Sequence, residues 1–254
     1  MDIIQEIQII STKDDKLRMN LTSTAKGMLD KFVSEDDKFY YKSGFRDMYG
    51  WYESNSVIAE CVAFELGKCL GLNVLEQKLV NIDDVLYCKS ENFLSNKEVL
   101  MTFAKLKINS YEQMLKIFPD HVEYFNSILI LDFIINNIDR HLNNIGLILC
   151  EDGSFKEPPI FDNGSSLYYN LTVEQLNYSI NNLYGYKKFD SAKPFRTSHY
   201  KQIKLVENSG VLPKLNLDFD INSILRKYYK GERLIALQKL VKERIEYVKK
   251  MYQK

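Results

Sequence analysis

An excess of charge of either sign is missing from this chain: Lys+Arg and Asp+Glu both number 34 in 254 residues. That balance excludes a polyanion-coating protein, and an apolar fraction of 45% excludes a disordered tail. Cysteine is scarce. The four present, Cys61, Cys69, Cys88 and Cys150, include no CxxC pair, and only His121, His141 and His199 are available to complete a zinc site. Reduced, mostly buried thiols are therefore expected. No uncharged apolar run reaches the ~20 residues of a membrane span, and the start MDIIQEIQIISTKDDK lacks the basic opening and long apolar core of a signal peptide. The expectation is a cytoplasmic protein with no membrane contact. RNA-binding aromatic motifs are also missing, so the 17 Tyr and 14 Phe are read as core rather than as a base-stacking surface, and no direct nucleic-acid binding is expected.

What is present divides the chain in two. The segments 3–10 (IIQEIQII), 16–21 (KLRMNL), 38–42 (KFYYK), 74–80 (VLEQKLV) and 84–88 (DVLYC) are short, rich in β-branched and aromatic residues, and bounded by polar turns. They predict a strand-rich first third. Among them NSVIAECVAFELGKCLGL starts with capping residues, carries apolar side chains at Val57, Cys61 and Phe64, and ends at Gly71, as a helix packed on a sheet should. From about residue 109 the apolar period lengthens through SYEQMLKIF, EYFNSILILDFIINN and LRKYYKGERLIALQKLVKERIEYVKKMYQ, which read as helices. Asp132, inside the second of these, needs a buried partner, expected to be a backbone amide of the loop that follows.

That loop, NNIDRHLNNIGLIL over residues 136–149, crowds hydrogen-bonding side chains into one corner. A β-hairpin is predicted directly after it, with IGLIL and PPIFD as its strands and Asp152-Gly153 in the connection. Its return strand would bring Asp162 back beside Asp139 and Asn144. An aspartate, an asparagine five residues on and a second aspartate across a hairpin suit phosphoryl transfer, which asks for positioning and charge stabilisation more than covalent chemistry. Asp139 would orient a hydroxyl and accept its proton. Asn144 and Asp162 would supply hard oxygen ligands for Mg²⁺, which takes most of its remaining ligands from phosphate and water. Taken alone, DxxxxN is more readily a helix C-terminus or N-cap cluster. An EF-hand is excluded, because counting Asp139 as the first loop position puts Asn144 where glycine is required and Cys150 where a bidentate glutamate is required.

The pattern Asn137, Asp139, Arg140, His141, Asn144 and Gly146, followed by Asp162 in FDNGSSL, resembles the HipA-like branch of the protein-kinase-like superfamily. The resemblance extends to the first lobe: KFYYKSG is similar to the strand bearing a phosphate-contacting lysine, which implies Lys42, and AECVAFELGKCLGLNV to the family's helix, which implies Glu60 as its ion-pair partner. The segment TSTAKGMLDKF lies where the family has a phosphate-covering loop, so backbone amides around Ser23 and Thr24 would contact ATP, and CKSENF at 88–93 falls where the adenine hinge lies. His141 either touches ATP or buttresses the loop by hydrogen bonds, and Arg140 is read as a loop organiser.

The resemblance implies an α+β, bilobal protein-kinase-like fold: an N-lobe of residues 1–92, and a mainly helical C-lobe of residues 93–254 carrying the catalytic loop 136–146 and the metal-binding strand end 160–166. It implies a short, kinase-core member of the family that uses ATP and Mg²⁺ to phosphorylate a protein Ser or Thr, its own loop hydroxyls included. An antitoxin or other regulatory protein would be its partner. Two rivals stay open, a small-molecule or lipid-head-group kinase and a nucleotide-binding pseudokinase that regulates a partner. KKFDSAKPFRTSHYKQ, residues 187–202, resembles a segment of short HipA-like proteins and reads as a solvated loop.

Overall fold

The computed structural model describes residues 7–12, 16–19, 29–181, 195 and 198–253. Six strands form one sheet in the order β1-β5-β6-β4-β3-β2: β1 Gln8–Ile10, β2 Arg18–Met19, β3 Lys31–Val33, β4 Phe39–Ser43, β5 Lys78–Ile82 and β6 Val85–Glu91. Only the β1–β5 pair is parallel. β3 is an addition to the sequence expectation. The connection SEDD closes a tight turn, with Ser34 N donating to Phe39 O at 2.9 Å, so KFV pairs back onto KFYYK.

Strand periodicity then sets which side chains share a face. On β4, Tyr41 is buried with Ile10, Val80, Ile82 and Tyr87 in a small apolar cluster on one side of the sheet. Lys42 therefore points to the other side. It stands in register with Lys31 on β3 and Cys88 on β6, which face the same way.

On that side lies α1, Asn55–Leu70, ended by Gly71 in the left-handed conformation. Ser54 makes no side-chain cap; the Glu53 carboxylate caps instead, accepting from Ser56 N at 3.0 Å. Every residue of the helix from Ser56 to Ala63 is buried, with the sheet and the later helix Ile221–Leu225 packed against it. Glu60, 2% exposed, is thus held inside.

A second, three-stranded antiparallel sheet joins β7 Val99–Thr102, β8 Gly146–Leu149 and β9 Phe155–Lys156. Here the expected hairpin is corrected. β8 returns through Gly153 to Phe155–Lys156 only, and PPIFD does not continue the pairing. Prolines 158 and 159 have no amide to give a ladder. Ile160 instead bridges in parallel to Val74, with its amide on Asn73 O at 2.8 Å and its carbonyl accepting from Leu75 N at 2.9 Å.

Among the described residues the remaining α-helices are α2 Phe103–Leu106, α3 Tyr111–Ile117, α4 Val122–Ile135, α5 Val173–Asn181, α6 His199–Ser209, α7 Ile221–Leu225 and α8 Gly231–Tyr252. The last apolar-periodic segment is not one helix: α8 begins at Gly231, where φ is 55° and a glycine is tolerated at no steric cost. α4 is buried on every side, Glu123 apart, as an all-round apolar helix must be, and it packs against α6 and α8. The mixed α+β architecture expected from the sequence is present.

Candidate active site

α4 ends at Asn136, whose left-handed φ of 54° turns the chain out of the helix. The next residues wrap around a buried ion pair. Arg140 and Asp132 are both fully buried, with Nη2 2.9 Å and Nε 3.0 Å from the carboxylate oxygens. Asn137 adds its side-chain amide to the same carboxylate at 3.0 Å. The partner of Asp132 is therefore a guanidinium and a side-chain amide, not a loop backbone amide. Burial works against the Arg140 charge, but Asp132 outweighs it and raises the guanidinium pKa further.

Arg140 also reaches forward. It donates to Asn144 O at 3.2 Å, to Phe161 O, and to Asn163 Oδ1 at 2.6 Å. It thus holds the residues on both sides of Asp162 as well as the loop that carries Asp139 and Asn144. Asp162 itself sits at a positive φ of 56°, a conformation Asp tolerates better than most residues.

Four of the sequence-derived candidates converge on one point. Lys42 Nζ is 3.2 Å from Glu60 Oε1 and also donates to Asp162 Oδ1, while Asn144 Nδ2 donates to Asp162 Oδ2. The second oxygen of Glu60 accepts from Asn163 N at 2.8 Å, so α1 is tied to the segment after Asp162. Gly164 permits this approach: a Cβ there would stand 3.1 Å from Glu60 Oε1 and from Ser56 O. Burial opposes both members of the Lys42–Asp162 pair, yet their mutual attraction wins. The ammonium is raised by Asp162 and Glu60, and the carboxyl is held below the usual carboxylate range by Lys42, then Arg140 and Lys31.

Two cavities meet at this cluster. One, of about 290 Å³, is walled by Tyr40, Leu75, Phe93 and Phe161 and by Cys88, Ser90 and Glu91 of β6 with Asn92 after it. The other, of about 440 Å³, is lined by Asp139, His141, Asn143, Asn144, Ser165 and Phe45. Lys31, Lys42 and Asp162 belong to both. His141 faces the second cavity while its Nδ1 accepts from Asn143 N at 3.3 Å. Ser23 and Thr24 lie outside the described residues, as does most of 187–202.

Lys31 is not among the sequence-derived candidates. The signal that finds it is the KFV-SEDD-KFYYK hairpin, whose register puts it directly across from Lys42. Burial, then the like charge of Lys42, pull its ammonium below the ordinary value.

The architecture is one found among kinases. The structure matches a Helicobacter pylori proinflammatory kinase, CtkA, with a TM-score of 0.68 at 17% identity, covering 93% of this chain and 96% of that one. A weaker match, TM-score 0.45 at 13% identity, is HipA of Shewanella oneidensis MR-1, solved in a toxin–antitoxin complex with HipB and operator DNA; it covers 89% of this chain and 65% of that one. No curated protein matches the chain. The sequence model of the HipA-like kinases matches residues 21–168, more than half the length, and the chain belongs to that family.

Proposed function

We propose that this kinase transfers the γ-phosphoryl group of ATP, with Mg²⁺, to a serine or threonine hydroxyl of a protein. The observation that carries the reading is the convergence of Lys42 and Asn144 on the Asp162 carboxylate where the two cavities meet, with Asp139 on the wall of the second. The smaller cavity has, in Leu75, Phe93 and Phe161, the apolar walls that an adenine requires. The larger is polar and suits phosphates and an acceptor. The nucleotide would then lie between the N-lobe, residues 1–92, and the C-lobe, residues 93–254.

Lys42, fixed by Glu60, would hold the α- and β-phosphates, with Lys31 as a second cation beside it. The donor set fits a hard cation. Among the described residues no three His, Cys, Asp or Glu side chains could hold a metal unaided. Asn144 and Asp162 would therefore hold Mg²⁺ jointly with the phosphates, in the way Mg²⁺ is usually bound. When bound, the ion would supply neutralisation of the phosphate charge that develops in the transfer. Asp139 would accept the proton of the acceptor hydroxyl as its oxygen forms a bond to the γ-phosphorus and the bond to the ADP oxygen breaks. Asn137, through its 3.0 Å contact to Asp139 N, fixes the backbone from which that carboxylate projects.

Mass spectrometry after incubation of wild type and Asp162→Asn with Mg·ATP and a protein acceptor tests the reading. Phosphate on serine or threonine is expected for the wild type alone; equal labelling by both would sink the metal assignment. A metabolite panel run in parallel separates a protein kinase from a small-molecule or lipid kinase. ATP binding without transfer, unchanged by Asp139→Asn, would mark a pseudokinase. An antitoxin or other regulatory partner is proposed on family membership alone, and co-purification of the full chain with its neighbours from the source cell tests it.

A further inference from the structure

Between β4 and α1, residues 44–54 form a short hairpin of which the cavities use only the first aromatic residue. Arg46 and Tyr52 bridge antiparallel, Glu53 N donates to Phe45 O, and Asp47 N donates to Trp51 O, both at 2.9 Å. The Asp47 carboxylate closes the tip by accepting from Tyr49 N and Trp51 N at 2.9 Å each. The base is equally fixed. Tyr52 OH donates to Asp30, Glu53 accepts from Phe45 N at 3.3 Å, and Gly44 lies so near the Glu53 carbonyl that a Cβ would fall 1.6 Å from its oxygen.

This ordered tip presents Met48, Tyr49 and Trp51 at 88%, 80% and 76% exposure. Single exposed apolar side chains are ordinary. Three on one turn, whose sole carboxylate is committed to backbone amides, form an apolar surface flanked by one exposed cation, Arg46, whose guanidinium lies 5.6 Å over the Tyr52 ring. The hairpin is rooted at the candidate active site: Phe45, at its base, lines the cavity of Asp139 and stacks on Tyr169 at 5.4 Å. Three residues of strand at ~3.3 Å each put the tip about 10 Å beyond Phe45. An acceptor small enough to sit wholly in a cavity of about 440 Å³ does not reach it. An extended polypeptide covers that distance in about three residues.

We propose that the hairpin is a docking knuckle for the acceptor polypeptide, gripping an apolar or aromatic side chain about three to six residues away from the phosphorylated hydroxyl. The proposal rests on the protein-kinase reading and deepens it. Size argues for a peptide over a second copy of the chain. Covering two aromatic side chains buries on the order of 300–500 Å², whereas a stable dimer needs about 800 Å² per partner.

Trp51 is the only tryptophan, so docking has its own optical readout. The probe is an array of peptides with one Ser or Thr in an Ala/Lys/Gly background, with Leu or Phe moved through every position within six residues of the hydroxyl, supplied with Mg·ATP. Wild type should prefer an apolar residue at a defined offset, and the best peptide should shift Trp51 emission to shorter wavelength. Trp51→Phe should keep the preference. Met48→Ser combined with Trp51→Ser should lose it, with KM for that peptide rising about tenfold, the loss of one anchoring contact, while kcat and KM for ATP stay unchanged. The proposal is overturned if wild type shows no apolar preference, if the double variant keeps it, or if emission ignores the peptide. Emission that depends on protein concentration without peptide would identify self-association and overturn it too. A wild type that labels no polypeptide at all defeats the protein-kinase reading itself, which is a separate and recognisable result.

Discussion

Arg140 and Asp132 form a fully buried ion pair, and the same guanidinium grips the carbonyl before Asp162 and the side chain after it. One side chain therefore sets the distance between the loop of Asp139 and the segment that carries Asp162. Breaking a buried pair by removing one partner leaves an uncompensated charge and costs about 3–5 kcal/mol. Arg140→Met should lower the unfolding free energy from urea titration by that amount. Arg140→Lys, which keeps the charge but loses the fork of donors, should keep part of the stability and lose most of the phosphotransfer. Equal activity of Arg140→Lys and wild type would show that the fork does not position Asp162.

Asp162 gives a pH dependence with a defined sign. Its folded-state pKa lies below the unfolded value, so it stabilises the fold above about pH 4 and that contribution fades as pH falls toward the folded pKa. Wild type should exceed Asp162→Asn in denaturant midpoint at pH 6, and the gap should narrow progressively below about pH 4. A gap that widens on acidification would mean that the carboxylate is not held ionised by Lys42 and Arg140.

Much of this was legible in the sequence because the informative signals are local. Asp139, Asn144 and Asp162 stand within one span of 24 residues, bounded by a helix end and a turn with their own chemistry. Gly71 ends α1 where a left-handed residue is required. What stayed hidden depends on partners distant in the chain. The buried position of Glu60 is set by Asn163, and the path of PPIFD by the free backbone groups of Asn73 and Leu75. Lys31 needed a strand register that a three-residue strand scarcely announces. Arg140 reads as a local loop residue until the carbonyl of Phe161 arrives from across the second sheet.

The cysteines supply a test of packing that is independent of activity. All four are free; Cys61 and Cys88 are buried, Cys69 and Cys150 are partly exposed. Burial, aided by the Glu60 charge, pushes the Cys88 thiol up to about 12, and burial also raises Cys61. Since the thiolate is the reactive form, a disulfide reagent at pH 8 should label Cys69 and Cys150 quickly in the native protein and reach Cys61 and Cys88 only on unfolding. Rapid labelling of Cys88 would show that the wall beside Lys42 opens to solvent.

Lys42 and Glu60 make the sharpest prediction because their roles separate. Glu60 is 2% exposed and has two partners, Lys42 Nζ at 3.2 Å and Asn163 N at 2.8 Å. Lys42→Met removes the cation and leaves a buried carboxylate with one donor, so it should both destabilise the fold and abolish tight ATP binding. Glu60→Gln keeps an acceptor for Asn163 N and removes the charge that anchors Lys42. It should cost about 1 kcal/mol of stability, as one weakened hydrogen bond does, and act mainly through the apparent KM for ATP. The two residues touch, so their effects should not add. A double-mutant cycle on the unfolding free energy should return a coupling of about 1–3 kcal/mol, as expected for contacting members of one ion-pair network. Added ATP should raise the melting temperature of wild type and, less strongly, of Glu60→Gln, but not of Lys42→Met. Additive stabilities together with equal ATP shifts in all three proteins would place the nucleotide elsewhere and remove Lys42 from the site.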